Sequence, residues 1–157
     1  MRVKPAPPAT HPSSARSLGL TVLGLALLTA ASAHAGEPVR LTSDPATDYY
    51  PSWSPDGTQI VFMSQRSGNG DLFIIPAAGG QPVLLVGNPG ADDEPAWSPD
   101  GQTIAFAGSR GGAPDIYLAN VAGGAPVRFT DHAGADGGPA WSPDGSRLAY
   151  SGFRVGS

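Results

Sequence analysis

Trp53-Ser54-Pro55-Asp56-Gly57 returns as Trp97-Ser98-Pro99-Asp100-Gly101 and again as Trp141-Ser142-Pro143-Asp144-Gly145. Both intervals are 44 residues. The register holds outside the motif and needs no gap. Asp48, Asp92 and Asp136 align, as do Pro51, Pro95 and Pro139. So do Ile60, Ile104 and Leu148, then Phe62, Phe106 and Tyr150, and Arg66, Arg110 and Arg154. Gly36, Gly80 and Gly124 each precede a Pro-Val pair by two residues. A period of this length, repeated over so many positions, is that of a propeller blade.

Each period reads as four short strands. The first lies near Tyr50 to Ser54 and runs into Pro55-Asp56-Gly57. There Pro presets φ, and Asp-Gly accepts the positive φ of a tight turn. The second is Gln59 to Ser64, where Ile60 and Phe62 alternate as in a sheet packed on one face. The third is Asp71 to Ile75, after the Ser67-Gly68-Asn69-Gly70 loop. The fourth runs from Pro82 to Val86, with Pro82 suited to an edge. The mature chain shows no helical periodicity, so its many Gly and Pro residues punctuate turns. One four-stranded sheet cannot bury both faces, whereas blades stacked around an axis bury them against each other. Trp53, Trp97 and Trp141 are read as core, each packing between neighbouring sheets. The fold class is therefore all-β, a partial propeller of four-stranded antiparallel blades. The third copy stops at Ser157, ahead of the position matching Asp115, so about two and a half blades are expected. The chain reads as a fragment of a longer propeller, with ring assembly from several chains or a decayed gene as alternatives.

Residues 1–35 read differently. Arg2, Lys4 and Arg16 form a basic leader, Leu18 to Ala31 is an uncharged Leu/Ala-rich run, and Ala33-His34-Ala35 offers small residues where a signal peptidase reads. A Sec-type signal peptide cleaved after Ala35 is expected, and a periplasmic location with it. No stable membrane insertion is expected after cleavage. Residues 36–157 form the incomplete propeller domain. That part has six arginines and no lysine against thirteen acidic residues, a net charge of −7. Such a domain is a poor non-specific binder of nucleic acid. There is no Cys, hence no disulfide and no thiolate metal site.

Pro51-x-Trp53-Ser54-Pro55-Asp56-Gly57, followed by Ile60-x-Phe62 and Asp71-x-Phe73, resembles the TolB-like propeller repeat, a WD40-like repeat. The copy from Pro95 to Tyr117 matches best. The resemblance implies a six-bladed ring, which at this period takes about 264 residues. It also implies a periplasmic protein of the Tol–Pal envelope system, binding a peptidoglycan-associated (Pal-type) lipoprotein or other Tol components. TolB proteins carry an α/β domain before the propeller, whereas repeat-like sequence begins here at Gly36. Val39 to Thr42 aligns with the fourth strands and is expected to complete the last blade of a closed ring.

The residues offer little catalytic chemistry. His132 is the one histidine outside the leader and is read as a solvent-exposed loop residue. Ser54, Ser98 and Ser142 are read as turn caps rather than nucleophiles, and there is no Gly-x-Ser-x-Gly elbow. Neither a catalytic residue, a cofactor nor a metal site is expected. Asp48, Asp92 and Asp136 each precede the innermost strand and are candidates for a channel-mouth site, with Asp92-Asp93-Glu94, for a cation or a basic peptide. A solvated loop is the alternative. Arg66 with Asp71, and Arg110 with Asp115, are expected to pair across a hairpin. The leading functional reading is a non-enzymatic scaffold for protein–protein interaction. The alternatives are the propeller portion of a prolyl-oligopeptidase-like exported peptidase, and a small-ligand or glycan-binding propeller.

Overall fold

The structure is a computed structural model that describes residues 2–3 and 38–153. The expected signal-peptide cleavage site and Arg154 lie outside the described residues. Twelve strands are formed among those described. Arg2–Val3 (β1) pairs with Val39–Arg40 (β2) in a separate two-stranded sheet, so β2 is not joined to a blade. Among the described residues no helix is long and apolar enough to cross a membrane.

The first blade is Asp48–Trp53 (β3), Gln59–Ser64 (β4), Asp71–Pro76 (β5) and Val83–Val86 (β6), hydrogen-bonded in chain order. The second is Asp92–Trp97 (β7), Thr103–Gly108 (β8), Asp115–Asn120 (β9) and Val127–Arg128 (β10), in the same order. Asp136–Trp141 (β11) and Leu148–Gly152 (β12) pair as the third sheet. Every strand pairing within the blades is antiparallel.

The repeated pentapeptide makes the same hairpin three times. Ser54 Oγ donates to Asp56 Oδ1 at 2.6 Å, and the Gln59 amide donates to Ser54 Oγ at 2.9 Å. Ser98–Asp100 and Ser142–Asp144 repeat the first bond at 2.6 Å each. Gly57, Gly101 and Gly145 take φ of 71°, 74° and 71°, the left-handed region that a Cβ disfavours. The three serines thus do work inside their turns. Hydrogen bonds from the Ser54 hydroxyl and the Thr58 amide hold Asp56 below the usual carboxylate value, and Asp100 is lowered in the same way. Asp144, held by Ser142 and Ser146, is lowered to about 2.

The packing differs from a one-faced sheet. Ile60, Val61, Phe62 and Met63 are successive residues of β4, and all four are buried. In β8, Ile104, Ala105, Phe106 and Ala107 are all buried as well. The second blade lies between the first blade and the third sheet, so its central strand is apolar on both sides and period-2 alternation is lost. Val61, Met63 and Leu72 of the first blade meet Ile104, Phe106, Tyr117 and Ala119 of the second, with Trp97 closing the cluster. Trp97 and Trp141 face the preceding blade, whereas no blade precedes Trp53 among the described residues, which explains their unequal burial. Trp97 is 8% exposed and Trp53 48%. Trp141 is half-buried, and its indole N–H donates to the Ala96 carbonyl at 3.1 Å.

Two outcomes follow from this packing. Trp97→Ala should cost about 3–5 kcal/mol of folding free energy, the scale for emptying an aromatic site in a core. Trp53→Ala should cost about half as much or less. Urea unfolding of the two variants measures the difference, and equal losses would contradict the interblade assignment. The lowered turn carboxylates give the second outcome. A carboxyl whose folded pKa lies below its unfolded value contributes stability above the unfolded pKa and loses it as pH falls through the folded pKa. The melting temperature should therefore drop from about pH 5 towards about pH 2, and Asp144→Asn should shallow that slope.

Candidate functional site

Asp48, Asp71, Asp92, Asp115 and Asp136 gather at one end of the blades, each opening a strand. Asp48, Asp92 and Asp136 open β3, β7 and β11, the strands that lead their blades, as the repeat register requires. Their side chains are nonetheless closed off. Asp48 is 4% exposed and faces Arg66 Nη2 at 3.0 Å; Asp92 is fully buried and faces Arg110 Nη1 at 2.6 Å. Asp136 is also fully buried, 3.1 Å from His132 Nδ1.

These arginines therefore do not pair with Asp71 and Asp115, as their spacing suggested. Asp48 and Asp71 both lie opposite Ser64, one on each neighbouring strand, so Arg66 has a choice that sequence distance does not decide. Arg66 folds back over the Phe62 and Phe73 rings, 5.4 and 4.9 Å from their centroids, towards the Asp48 side. Arg110 lies over Phe106 and Tyr117 in the same way, at 5.3 and 4.3 Å. A guanidinium on an aromatic face gains from the ring quadrupole as well as from its carboxylate. Asp71 instead accepts from the Ser67 hydroxyl and from the Asn88 amide, and Asp115 takes Arg128 at 2.6 Å.

The two clasps differ electrostatically for a reason visible in the repeat. Burial pushes Asp48 up, but hydrogen bonds from Ser64, Thr42 and Arg66 outweigh it and hold the carboxyl below its usual value. Val86 and Gly108 replace Thr42 and Ser64 around Asp92. Burial then prevails there, and Asp92 is raised in spite of Arg110 and Asn88, with the Asp71 charge adding to the rise. Gly108 also makes room: a Cβ on it would lie 2.2 Å from Arg110 Nη1 and 2.9 Å from Asp92 Oδ1.

Neighbouring blades are laced together at this end. The Asp92 amide donates to the Gly70 carbonyl at 2.8 Å, and the Asp136 amide to the Pro114 carbonyl at 2.7 Å. Asn88 Nδ2 reaches Asp92 Oδ2 at 2.6 Å, and His132 occupies the matching position before Asp136. His132 is thus partly exposed in its loop, as read from the sequence, with Nδ1 beside a buried carboxylate. The alignment of Asn88 with His132 was a signal that could have shown it.

What opens to solvent is the next pair of residues. The register of β3, β7 and β11 shifts after Tyr49, Asp93 and Gly137, and Tyr50, Glu94 and Gly138 take φ of 52°, 53° and 60°. Such a bulge re-aims side chains and costs backbone energy at the two non-glycine positions. Glu94 Oε2 accepts the Gly138 N–H at 2.5 Å, bridging two blades. A cleft of about 450 Å³ lies here, lined by Tyr50, Asp93, Glu94, Ser109, Gly137 and Phe153 among others. Among the described residues, no Arg or Lys lines it. Burial and the Glu94 charge raise Asp93 above the usual carboxylate value. Among the described residues, no group of three or more His, Asp or Glu side chains is placed to hold a metal ion.

A blade of four antiparallel strands, a Ser-Pro-Asp-Gly hairpin and a 44-residue period define a β-propeller repeat. The chain carries a TolB-type propeller domain. Residues 83–157 match the family model described as TolB beta propeller domain. The structure is similar to that of putative TolB from Agrobacterium tumefaciens, at 31% identity and a TM-score of 0.69 over 74% of this chain and 42% of that one. It is also similar to TolB from Acinetobacter baumannii, at 25% identity and a TM-score of 0.66 over 78% of this chain and 31% of that one. The tricorn protease shares the fold at 16% identity and a TM-score of 0.59, over 73% of this chain and 12% of that one. The chain thus spans less than half the length of the TolB proteins it matches.

The clasp has a measurable consequence. Arg110→Met leaves the Asp92 carboxylate buried without its cation and should destabilise the domain by about 3–5 kcal/mol. Adding Asp92→Asn to that variant should recover more than half of the loss. Additive losses in denaturant titrations would show that the two side chains are not coupled.

Proposed function

We propose that this chain is a non-enzymatic propeller of the cell envelope that binds a partner protein, in the manner of a Tol–Pal component. The observation that carries the reading is the acidic cleft at the bulged ends of the lead strands. Asp93 and Glu94 face it, no described residue of its lining is basic, and backbone bulges at Tyr50, Glu94 and Gly138 shape it. A cleft with one sign of charge attracts a partner segment of the opposite sign and speeds its encounter. The cleft would accept a Lys- or Arg-bearing segment, and similarity to TolB makes a peptidoglycan-associated lipoprotein the first partner to test. The carboxylates suited to this role are the half-buried neighbours of Asp92, while Asp48 and Asp92 are closed off by their arginines.

The leader fits the same reading. A basic start, an apolar run and Ala33-His34-Ala35 direct the chain through general secretion, so Met1 to Ala35 would be removed and the protein would act in the periplasm.

Immobilised full chain should retain the lipoprotein at low salt and release it as ionic strength rises. Asp93→Asn should weaken retention about tenfold, the scale of losing one partly desolvated charge contact. Retention that is indifferent to both salt and Asp93→Asn would remove the cleft from the interface. Amino-terminal sequencing of the exported protein should begin at Gly36; a retained leader would overturn the processing step.

A further inference from the structure

A second cleft lies on the same end, between the β8–β9 loop and the β10–β11 loop. It encloses about 240 Å³ and is lined by Gly111, Ala113, Asp115, Tyr117, Arg128 and His132 among others. The matching corner of the first blade is filled by its own side chains. There Ser67 and Asn88 satisfy Asp71, and Asn69 Nδ2 donates to the carbonyls of Asn88 and Gly90 at 2.7 and 2.5 Å. In the second blade Gly111 stands for Ser67 and Ala113 for Asn69. The hydroxyl and amide that close the corner are gone, and a cleft replaces them.

The loss leaves a specific group unserved. Asp115 is 6% exposed; its Oδ2 holds Arg128, while its Oδ1 is buried without a protein hydrogen-bond partner. A buried carboxylate oxygen in that condition favours any ligand that brings a donor. The surrounding charges decide what kind. Arg110 is held by Asp92, Arg128 by Asp115, and His132 faces Asp136. An anion would have to compete with Asp115 for Arg128, and a cation would have to compete with Arg128 for Asp115. A hydroxyl group breaks neither pair, because it can donate to Asp115 Oδ1 while an adjacent hydroxyl accepts from the half-exposed Arg128 guanidinium. The volume is roughly eight times that of a liquid water molecule, so a single water does not fill it.

The geometry points to this cleft as a binding site for a neutral polyhydroxylated ligand, a saccharide unit that presents two adjacent hydroxyls to Asp115 and Arg128. The site is separate from the acidic cleft proposed to take a protein partner and stands or falls independently of it.

The test is an amide ¹H–¹⁵N NMR titration of the full chain with glucose and with N-acetylglucosamine, and separately with inorganic phosphate and methylammonium. Saturable shifts of the Gly111, Gly112 and Gly134 amides with at least one sugar, and not with either ion, are expected. Arg128→Leu removes the charged donor but leaves Asp115 unpaired, so its ligand-free amide spectrum must first match that of the parent chain. Arg128→Leu with Asp115→Asn, which leaves no buried charge, serves where it does not. Either variant should weaken sugar binding about tenfold or more, as loss of a charged hydrogen-bond donor does. Asp115→Asn should also weaken it. Saturable shifts with phosphate or methylammonium alone, sugar binding that Arg128→Leu leaves intact, or no saturable shift with any probe, as an ordered-water site would give, each overturns the proposal.

Discussion

The structure depends on one packing relation: the face of each blade is finished only by the face of the next. Val61, Met63 and Leu72 are covered because Ile104, Phe106, Tyr117 and Trp97 lie on them. No single blade could bury its central strand on both sides, and a four-stranded sheet with two apolar faces has no stable existence by itself. The position of every other feature follows. Turns fall at one end and charged loops at the other, and each lead strand begins beside its predecessor.

The charged end is the place where that packing is locked. Arg66 and Arg110 lie flat on aromatic pairs and reach the aspartate that opens the lead strand. One guanidinium thus joins the second strand to the first and covers the end of the apolar layer. Burying an ion pair carries a desolvation cost, and the surrounding hydroxyls determine how much of it is offset. Ser64 and Thr42 supply that offset around Asp48; Gly108 and Val86 cannot supply it around Asp92. Repeats that are alike in shape have therefore diverged in electrostatics. The same divergence opens the corner around Asp115, where Gly111 and Ala113 no longer fill the space their counterparts occupy.

Much was legible without coordinates. The 44-residue register placed β4, β5, β8 and β9 to within a residue, because turn chemistry is local and the Pro-Asp-Gly hairpin needs only its own backbone. The serine roles were equally local: each hydroxyl bonds to an aspartate two residues away. The partners of Arg66 and Arg110 were not legible. Each has one aspartate five residues on and another eighteen residues back, and only the sheet puts the distant one within reach. The bulges at Tyr50 and Glu94 escaped notice because neither residue type announces a positive φ.

The sequence by itself determined the repeat, its hairpins and the order of strands, since these follow from short-range backbone preferences and a period that can be counted. Tertiary structure alone decided which face each tryptophan covers, which carboxylates are buried and which stay open. Those outcomes depend on the neighbouring blade, forty-four residues away along the chain, and on whether its side chains are large enough to fill the corner they inherit.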